Sequence, residues 1–147
     1  MKEFFDTSVL VAAFWRGHRD HDASLDLVAG ANRKNSACAL HTLAEVYSTM
    51  TALPVKDSIP PDQAVLFVQE VRDRFHVVPL DESEYFATIT ECAERGFTSG
   101  RIYDALLLRC AAKIKAEVIY TWNLKHFQAI DPRQAARIQS PNERRPR

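Results

Sequence analysis

The chain has 147 residues, a length that fits one domain, and its formal net charge at neutral pH is zero. Apolar residues make up 46% and charged residues 26%, which excludes a disordered chain and supports a buried core. No run approaches the ~20 apolar residues that span a membrane. The start reaches Asp6 at once and lacks the apolar stretch of a signal peptide, so we expect a cytoplasmic protein.

The cysteines Cys38, Cys92 and Cys110 are odd in number and widely spaced, and no Cys-x-x-Cys pair is present. This pattern predicts reduced thiols rather than disulfides or zinc ligands. Each cysteine has apolar neighbours in the sequence, so we expect all three to fill the core.

The charges are distributed unevenly along the chain. From Arg133 onward there are five arginines and one acid, Glu143, so this segment carries +4 and residues 1–132 carry −4. We predict a single domain over residues 1–132, followed by a basic tail over residues 133–147. An acidic body would suit metal binding, although a solvated surface with a frayed end explains the charges more simply.

Short apolar strands alternate with helices along the chain. In order, the predicted strands cover residues 4–5, 37–40, 76–80 and 118–121. The predicted helices cover residues 9–15, 25–31, 42–53, 61–71, 81–95, 99–114 and 124–129. Strands without polar alternation, each followed by a helix, are typical of an α/β fold with a parallel sheet buried on both faces.

Acidic residues follow two of these strands, where parallel α/β sheets bind ligands. Asp6 comes directly after the first strand, although Asp6 or Thr7 could simply cap the next helix. Glu45 lies in the helix after the second strand, and Thr42-x-x-Glu45 is also a capping-box pattern. Each acid therefore has a structural explanation as well as a functional one.

Two further polar residues follow or flank the later strands. Asp104 lies near the start of a helix, where the helix dipole would stabilise a carboxylate without any function. Asn123 lies just past the fourth strand, where asparagine is an ordinary turn residue. At one sheet edge the three acids would repel each other without a cation, and hard oxygen ligands, including an amide, suit Mg²⁺ or Mn²⁺. Such ions promote phosphodiester hydrolysis, so we favour that chemistry over acyl transfer.

Other chemistries find little support in the sequence. There is no P-loop, no Gly-x-Gly-x-x-Gly and no Gly-x-Ser-x-Gly, and the whole chain has four glycines. His18 and His21 have no cysteine or histidine pair to complete a zinc site, and a solvated helix start explains them better.

Four stretches in order, Phe5–Leu10, Leu43–Tyr47, Ser99–Leu106 and Tyr120–Phe127, resemble the PIN-domain family. Within that family they are most similar to the VapC-type toxins of bacterial and archaeal toxin–antitoxin pairs. No single stretch is specific, but the four together span nearly the whole domain.

The resemblance implies a three-layer α/β/α domain with a central parallel sheet of four to five strands. It implies that Asp6, Glu45 and Asp104 are catalytic acids that hold Mg²⁺ or Mn²⁺ and hydrolyse RNA. It also implies a metal-dependent endoribonuclease acting as the toxin of a type II pair. The expected protein partners are a cognate antitoxin and a second copy of the chain in a homodimer.

Four more residues receive roles through the resemblance. Thr7 or Ser8 would support the acids by hydrogen bonding, and Thr121 would lie beside them. The family often has Asp at the last catalytic position, where this chain has Asn123. An amide offers a carbonyl oxygen but no charge, so we expect Asn123 to act through a water. For the same reason we expect the site to hold one ion tightly rather than two.

Two alternatives to the ribonuclease stay open at this point. A PIN-like module that binds RNA with weak catalysis would explain Asn123. A phosphatase of the haloacid-dehalogenase type would use Asp6 as a covalent nucleophile, but it needs a second Asp where this chain has Ser8.

Overall fold

A five-stranded parallel sheet forms the centre of the molecule. The computed structural model describes residues 2–143. Its strands are β1 (Glu3–Phe5), β2 (Ser36–Ala39), β3 (His76–Val78), β4 (Val118–Tyr120) and β5 (Ile138–Gln139). They lie in the order β3-β2-β1-β4-β5, and every pair of neighbours is parallel.

Helices follow the strands and cover the sheet. They are α1 (Thr7–Phe14), α2 (His21–Ala29), α3 (Leu40–Met50), α4 (Pro61–Arg74), α5 (Glu82–Glu94), α6 (Arg101–Lys113) and α7 (Leu124–Ile130). Short 3₁₀ helices cover Val55–Asp57, Pro132–Arg137 and Pro141–Glu143. Within residues 2–143, none of the helices combines the length and apolar character that crossing a membrane requires.

Each face of the sheet carries its own apolar core. Phe4 and Phe5 are both fully buried and belong to different cores, because successive side chains of a strand point to opposite faces. Phe5 packs with residues of α1 to α4, and Phe4 packs with residues of α6 and α7. Burying a side chain of this size contributes roughly 1.5–3 kcal/mol. The predicted three-layer architecture is confirmed.

The three cysteines are free and buried, as predicted. Burial raises the pKa of Cys38 and of Cys110 to about 12. Both thiols therefore stay protonated at neutral pH and act as apolar filler.

Three predicted helix starts are wrong by a few residues. Helix α1 begins at Thr7 rather than at residue 9, so Asp6 precedes it, and Asp6 makes no side-chain capping bond. Helix α3 begins at Leu40, which places Thr42 inside the helix and removes the predicted capping box. Helix α6 begins after Gly100 because Ser99 has a left-handed φ of 55° that no helix residue adopts.

The predicted boundary at residue 133 does not coincide with the edge of the fold. Residues 132–137 form a 3₁₀ helix, and β5 then pairs with β4. The sequence could not reveal a strand of two residues, since so short a segment has no periodicity. The predicted tail residues 144–147 lie outside the described part of the chain.

The capping box of α5 gives a testable contribution to stability. Asp81 accepts a hydrogen bond from the Glu84 backbone N–H at 2.8 Å, and Glu84 accepts one from the Asp81 N–H at 3.0 Å. We expect Asp81→Ala to lower the free energy of unfolding by about 1 kcal/mol, measured by urea denaturation. Asp81→Ser should retain most of the stability, and an equal loss in both variants would contradict a capping role.

Candidate active site

The candidate site lies at the carboxyl edge of the three central strands. Asp6 follows β1 directly, Thr121 follows β4 directly, and α3 starts immediately after β2. Strand β1 lies between β2 and β4, and the order of the strands reverses on its two sides. Such a switch point opens a crevice in α/β sheets, and the predicted acids surround it.

Asp6 is held in place by two hydroxyl groups. The residue is 4% exposed, and its carboxylate accepts hydrogen bonds from Ser8 Oγ at 2.6 Å and Thr121 Oγ1 at 2.8 Å. Burial raises the pKa of Asp6 to about 6, the two hydroxyl bonds oppose this rise, and the charge of Asp104 adds to it. The carboxylate is therefore oriented by its neighbours but poorly compensated in charge.

Glu45 lies on α3, in contact with the first turn of α1. Its Oε1 accepts a hydrogen bond from Thr7 Oγ1 at 3.0 Å, and the Thr7 and Thr42 hydroxyls bond to each other at 3.0 Å. Burial raises the pKa of Glu45 to about 7, the Thr7 bond opposes this rise, and the charges of Asp6 and Asp104 add to it. Thr42 thus joins the site through Thr7, a role that the sequence did not indicate.

Asp104 reaches the same crevice from the first turn of α6. Burial raises its pKa, and the hydrogen bond and charge of His126 oppose the rise. His126 Nδ1 lies 3.3 Å from Asp104 Oδ2. The sequence assigned no role to His126, although it lies three residues after Asn123 at the start of α7 and so close to the sheet edge.

Asn123 occupies the turn between β4 and α7. The residue is exposed, and its backbone N–H donates to Thr121 Oγ1 at 3.0 Å. The neighbouring Trp122 N–H donates to Ser8 Oγ at 3.1 Å. Both bonds tie this turn to the hydroxyls that hold Asp6. The predicted role of the Asn123 side chain stays a prediction.

The three acids influence each other electrostatically. The charge of Asp104 raises the pKa of Asp6, and the charges of Asp6 and Asp104 raise that of Glu45. Among residues 2–143, no three His, Cys, Asp or Glu side chains converge closely enough to enclose an ion directly. The donor set still fits Mg²⁺ or Mn²⁺, since Mg²⁺ usually keeps several waters and needs only one or two carboxylates.

Removing the Thr121 hydroxyl tests how the site is organised. Thr121 is fully buried, donates to Asp6 and accepts from the Asn123 N–H. We expect Thr121→Val to lower the free energy of unfolding by about 1–3 kcal/mol, because it leaves the buried Asp6 carboxylate and the Asn123 N–H each short of a partner. Chemical denaturation measures the loss, and Thr121→Ser should restore most of it; equal losses would mean that packing alone matters.

Comparison with known proteins places this site in a family. Residues 4–131 match the family described as PIN domain. The chain is 29% identical over 134 residues to Ribonuclease VapC40 of Mycobacterium tuberculosis, covering 91% of this chain and 93% of that protein.

Two solved structures share the fold. VapC20 of Mycobacterium tuberculosis, described as a sarcin-ricin loop cleaving toxin, has a TM-score of 0.70 at 15% identity, covering 87% of this chain and 95% of that chain. A chain of a toxin–antitoxin complex from Klebsiella pneumoniae has a TM-score of 0.61 at 18% identity, covering 95% of this chain and 98% of that chain. Since the family match spans most of the residues and includes every predicted site residue, the chain belongs to the PIN-domain family.

Proposed function

We propose that this protein is a Mg²⁺- or Mn²⁺-dependent endoribonuclease and the toxin of a type II toxin–antitoxin pair. The observation that carries the proposal is the meeting of Asp6, Glu45 and Asp104 at one sheet edge, where burial raises all three pKa values and the Asp104 charge raises those of Asp6 and Glu45 further. Acids gathered at such a cost in free energy are characteristic of a site that binds a cation. The name of VapC40, a ribonuclease, supports RNA as the substrate class.

Each residue has a separate task in this proposal. A bound divalent ion would polarise a phosphodiester oxygen and lower the pKa of a bound water. Ser8 and Thr121 orient the Asp6 carboxylate, and Thr7 orients that of Glu45. These hydroxyls prevent the acids from rotating away from the ion that they would hold.

The phosphatase alternative loses support from the contacts of Ser8. A haloacid-dehalogenase-type mechanism needs a second carboxylate at this position, as the general acid. Here the Ser8 hydroxyl donates to Asp6 and accepts from the Trp122 N–H, so it acts as a structural link.

An antitoxin and a second copy of the chain are the proposed protein partners. The Klebsiella relative forms a toxin–antitoxin complex, and an acidic crevice of this kind would accept a basic residue from such a partner. Large apolar side chains are exposed on α3, α5 and α6, which supports protein contacts on that side of the molecule. They are Leu40, Tyr47, Tyr85, Phe86, Ile89 and Tyr103.

The proposed activity is tested by incubating the purified chain with total RNA. We expect cleavage with Mg²⁺ or Mn²⁺, none with excess EDTA, and full recovery when the metal is restored. Glu45→Gln should lower the rate by at least ~10-fold, as expected for a residue at the metal. Cleavage that continues in EDTA, or at an unchanged rate in Glu45→Gln, would contradict the proposal.

Calorimetry distinguishes the ribonuclease from the alternative function, a weakly catalytic module that binds RNA. Asn123 carries no charge where the family often has Asp, and this favours one bound ion over two. We expect titration with Mn²⁺ to show one site per chain. RNA binding without Mn²⁺ binding would instead support the module.

A further inference from the structure

A cavity lined by arginines lies apart from the acidic crevice. It has a volume of about 410 Å³ and is enclosed by α5, α6, α7 and the 3₁₀ helix that follows α7. Its charged lining residues are Arg95, Arg109, Arg133, Arg137, Glu91 and Asp131. These residues have a net charge of +2, whereas the acidic crevice is negative. We refer to this feature as the arginine cavity.

Two of its arginines form no ion pair with a carboxylate within residues 2–143. Arg95 donates to the Ile130 carbonyl and, at 3.4 Å, to that of Ala129. Arg137 donates to the Ala116 carbonyl at 3.5 Å. A carbonyl group accepts a hydrogen bond but does not neutralise a full charge. Both guanidinium groups therefore keep a positive potential that would attract an anion.

The other two arginines pair weakly with exposed or partly exposed acids. Arg109 lies 3.5 Å from Glu91, whose side chain is 54% exposed. Arg133 lies 3.3 Å from Asp131; the Arg133 side chain is 82% exposed and that of Asp131 is 15% exposed. Exposed ion pairs of this kind contribute at most about 1 kcal/mol. An incoming phosphate group can therefore replace Glu91 at little cost, and it can approach the exposed Arg133 guanidinium while Asp131 stays in place.

Gln134, which lines the cavity, has a buried acceptor without a partner. Gln134 is 5% exposed, and its Nε2 donates to the Leu108 carbonyl and to Asp131. Its Oε1 is the single buried side-chain nitrogen or oxygen between residues 2 and 143 that has no hydrogen-bond partner. This oxygen is closed off from a ligand, so the match to RNA rests on the arginines, which suit its anionic phosphates.

The position of the cavity favours a strand that also reaches the acids. Helix α6 carries Asp104 at the crevice, and the next residue, Ala105, already lines the cavity. Arg109 follows Asp104 by five residues, which is about 8 Å along the helix axis and about 140° around it, so a strand would pass around α6 between the two sites. Phe97 adds an aromatic ring to the lining, and the Arg95 guanidinium lies 4.4 Å from its centre. Aromatic and arginine side chains together are typical of single-strand binding surfaces.

We propose that the arginine cavity binds the sugar-phosphate backbone of the RNA strand, a few nucleotides from the position of cleavage. This inference rests on the proposed function, because it takes the strand at the acids to be RNA. The cavity then holds the substrate by phosphate contacts, and the acidic crevice carries out the chemistry.

The test measures binding of a fluorescent ~12-nucleotide single-stranded RNA by anisotropy, in EDTA so that no cleavage occurs. We expect Arg109→Gln/Arg133→Gln to bind about tenfold more weakly near 0.1 M salt. The salt dependence should fall by about 1.4 in the slope of log affinity against log salt, since two phosphate contacts are lost. Glu91→Gln should bind more tightly than the unmodified chain, a gain that a folding defect would not produce.

The matched control is Arg19→Gln/Arg33→Gln, which removes the same charge from exposed positions outside the cavity. An equal loss in this control, or unchanged binding in Arg109→Gln/Arg133→Gln, would overturn the inference. So would displacement of the RNA by a hexaglutamate peptide at lower concentration than unlabelled RNA, since the ligand would then be a protein. RNA binding that weakens as expected, in a chain that cleaves no RNA with metal present, would support the cavity and refute only the ribonuclease.

Discussion

Replacing Asp6 with asparagine is expected to stabilise the metal-free protein near pH 8 and to abolish RNA cleavage. The pKa of Asp6 rises from 3.8 to about 6 in the folded state, chiefly because the carboxylate is buried. The folded protein therefore holds this proton more tightly than the unfolded chain, and stability falls as the pH rises from about 4 through 6. Above that range the ionised group costs on the order of 3 kcal/mol, which Asn avoids.

Thermal unfolding in EDTA measures this effect at two pH values. We expect Asp6→Asn to raise the Tm by on the order of 5–10 °C near pH 8, and by much less near pH 4.5. The exposed Asp62→Asn serves as the charge-matched control and should change little at either pH. A stability gain of the same size at both pH values would mean that the charge of Asp6 is not its origin.

Activity should move in the opposite direction in the same variant. Asn lacks the negative charge that we propose for holding the ion, so cleavage with Mg²⁺ or Mn²⁺ should fall by at least ~100-fold. A variant that is more stable but inactive has lost a functional group, because a damaged fold would lower its stability. A variant that retains cleavage would remove Asp6 from the catalytic site.

Adding Mn²⁺ or Mg²⁺ is expected to stabilise the unmodified chain, because the ion compensates the charges of three acids. At 100 times the dissociation constant, binding to the folded state contributes about 2.7 kcal/mol. For a chain of this length that raises the Tm by on the order of 5–10 °C. Because the pKa values of Asp6 and Glu45 are about 6 and about 7, these groups must lose protons when the ion binds below those pH values. Stabilisation should therefore grow as the pH rises from about 5 to 8.

Differential scanning fluorimetry across this pH range gives the measurement. Asp6→Asn should lose most of the metal-dependent shift, whereas the exposed control Asp62→Asn should retain it. Equal shifts in both variants would place the ion elsewhere. A shift that is independent of pH would contradict the displacement of protons from these acids.

Local patterns in the sequence were sufficient to predict the architecture. Strand and helix patterns repeat along the chain, and such patterns depend on neighbours a few residues apart. The apolar segments at residues 4–5 and 118–121 therefore predicted two strands of a parallel sheet. Asp6 at the end of the first strand then placed a carboxylate at the edge where such sheets bind ligands.

The partners of each acid depended on the tertiary structure. Thr121 lies 115 residues from Asp6, and Thr7 lies 38 residues from Glu45, so no local rule connects these pairs. The capping motif predicted for Thr42 was wrong for the same reason. That threonine bonds to Thr7 on another helix, and this pairing exists only after β1 and β2 have come together.

Strand β5 and the raised pKa values likewise arise only in the folded chain. Two residues carry no strand periodicity, and they become a strand because β4 offers an unpaired edge. The sequence shows which residues are acidic, but it does not show how deeply they are buried or how strongly they repel each other. The order of residues thus determined the layers and the edge at which the acids lie. Packing between distant segments decided which hydroxyls hold those acids and how costly their charges are.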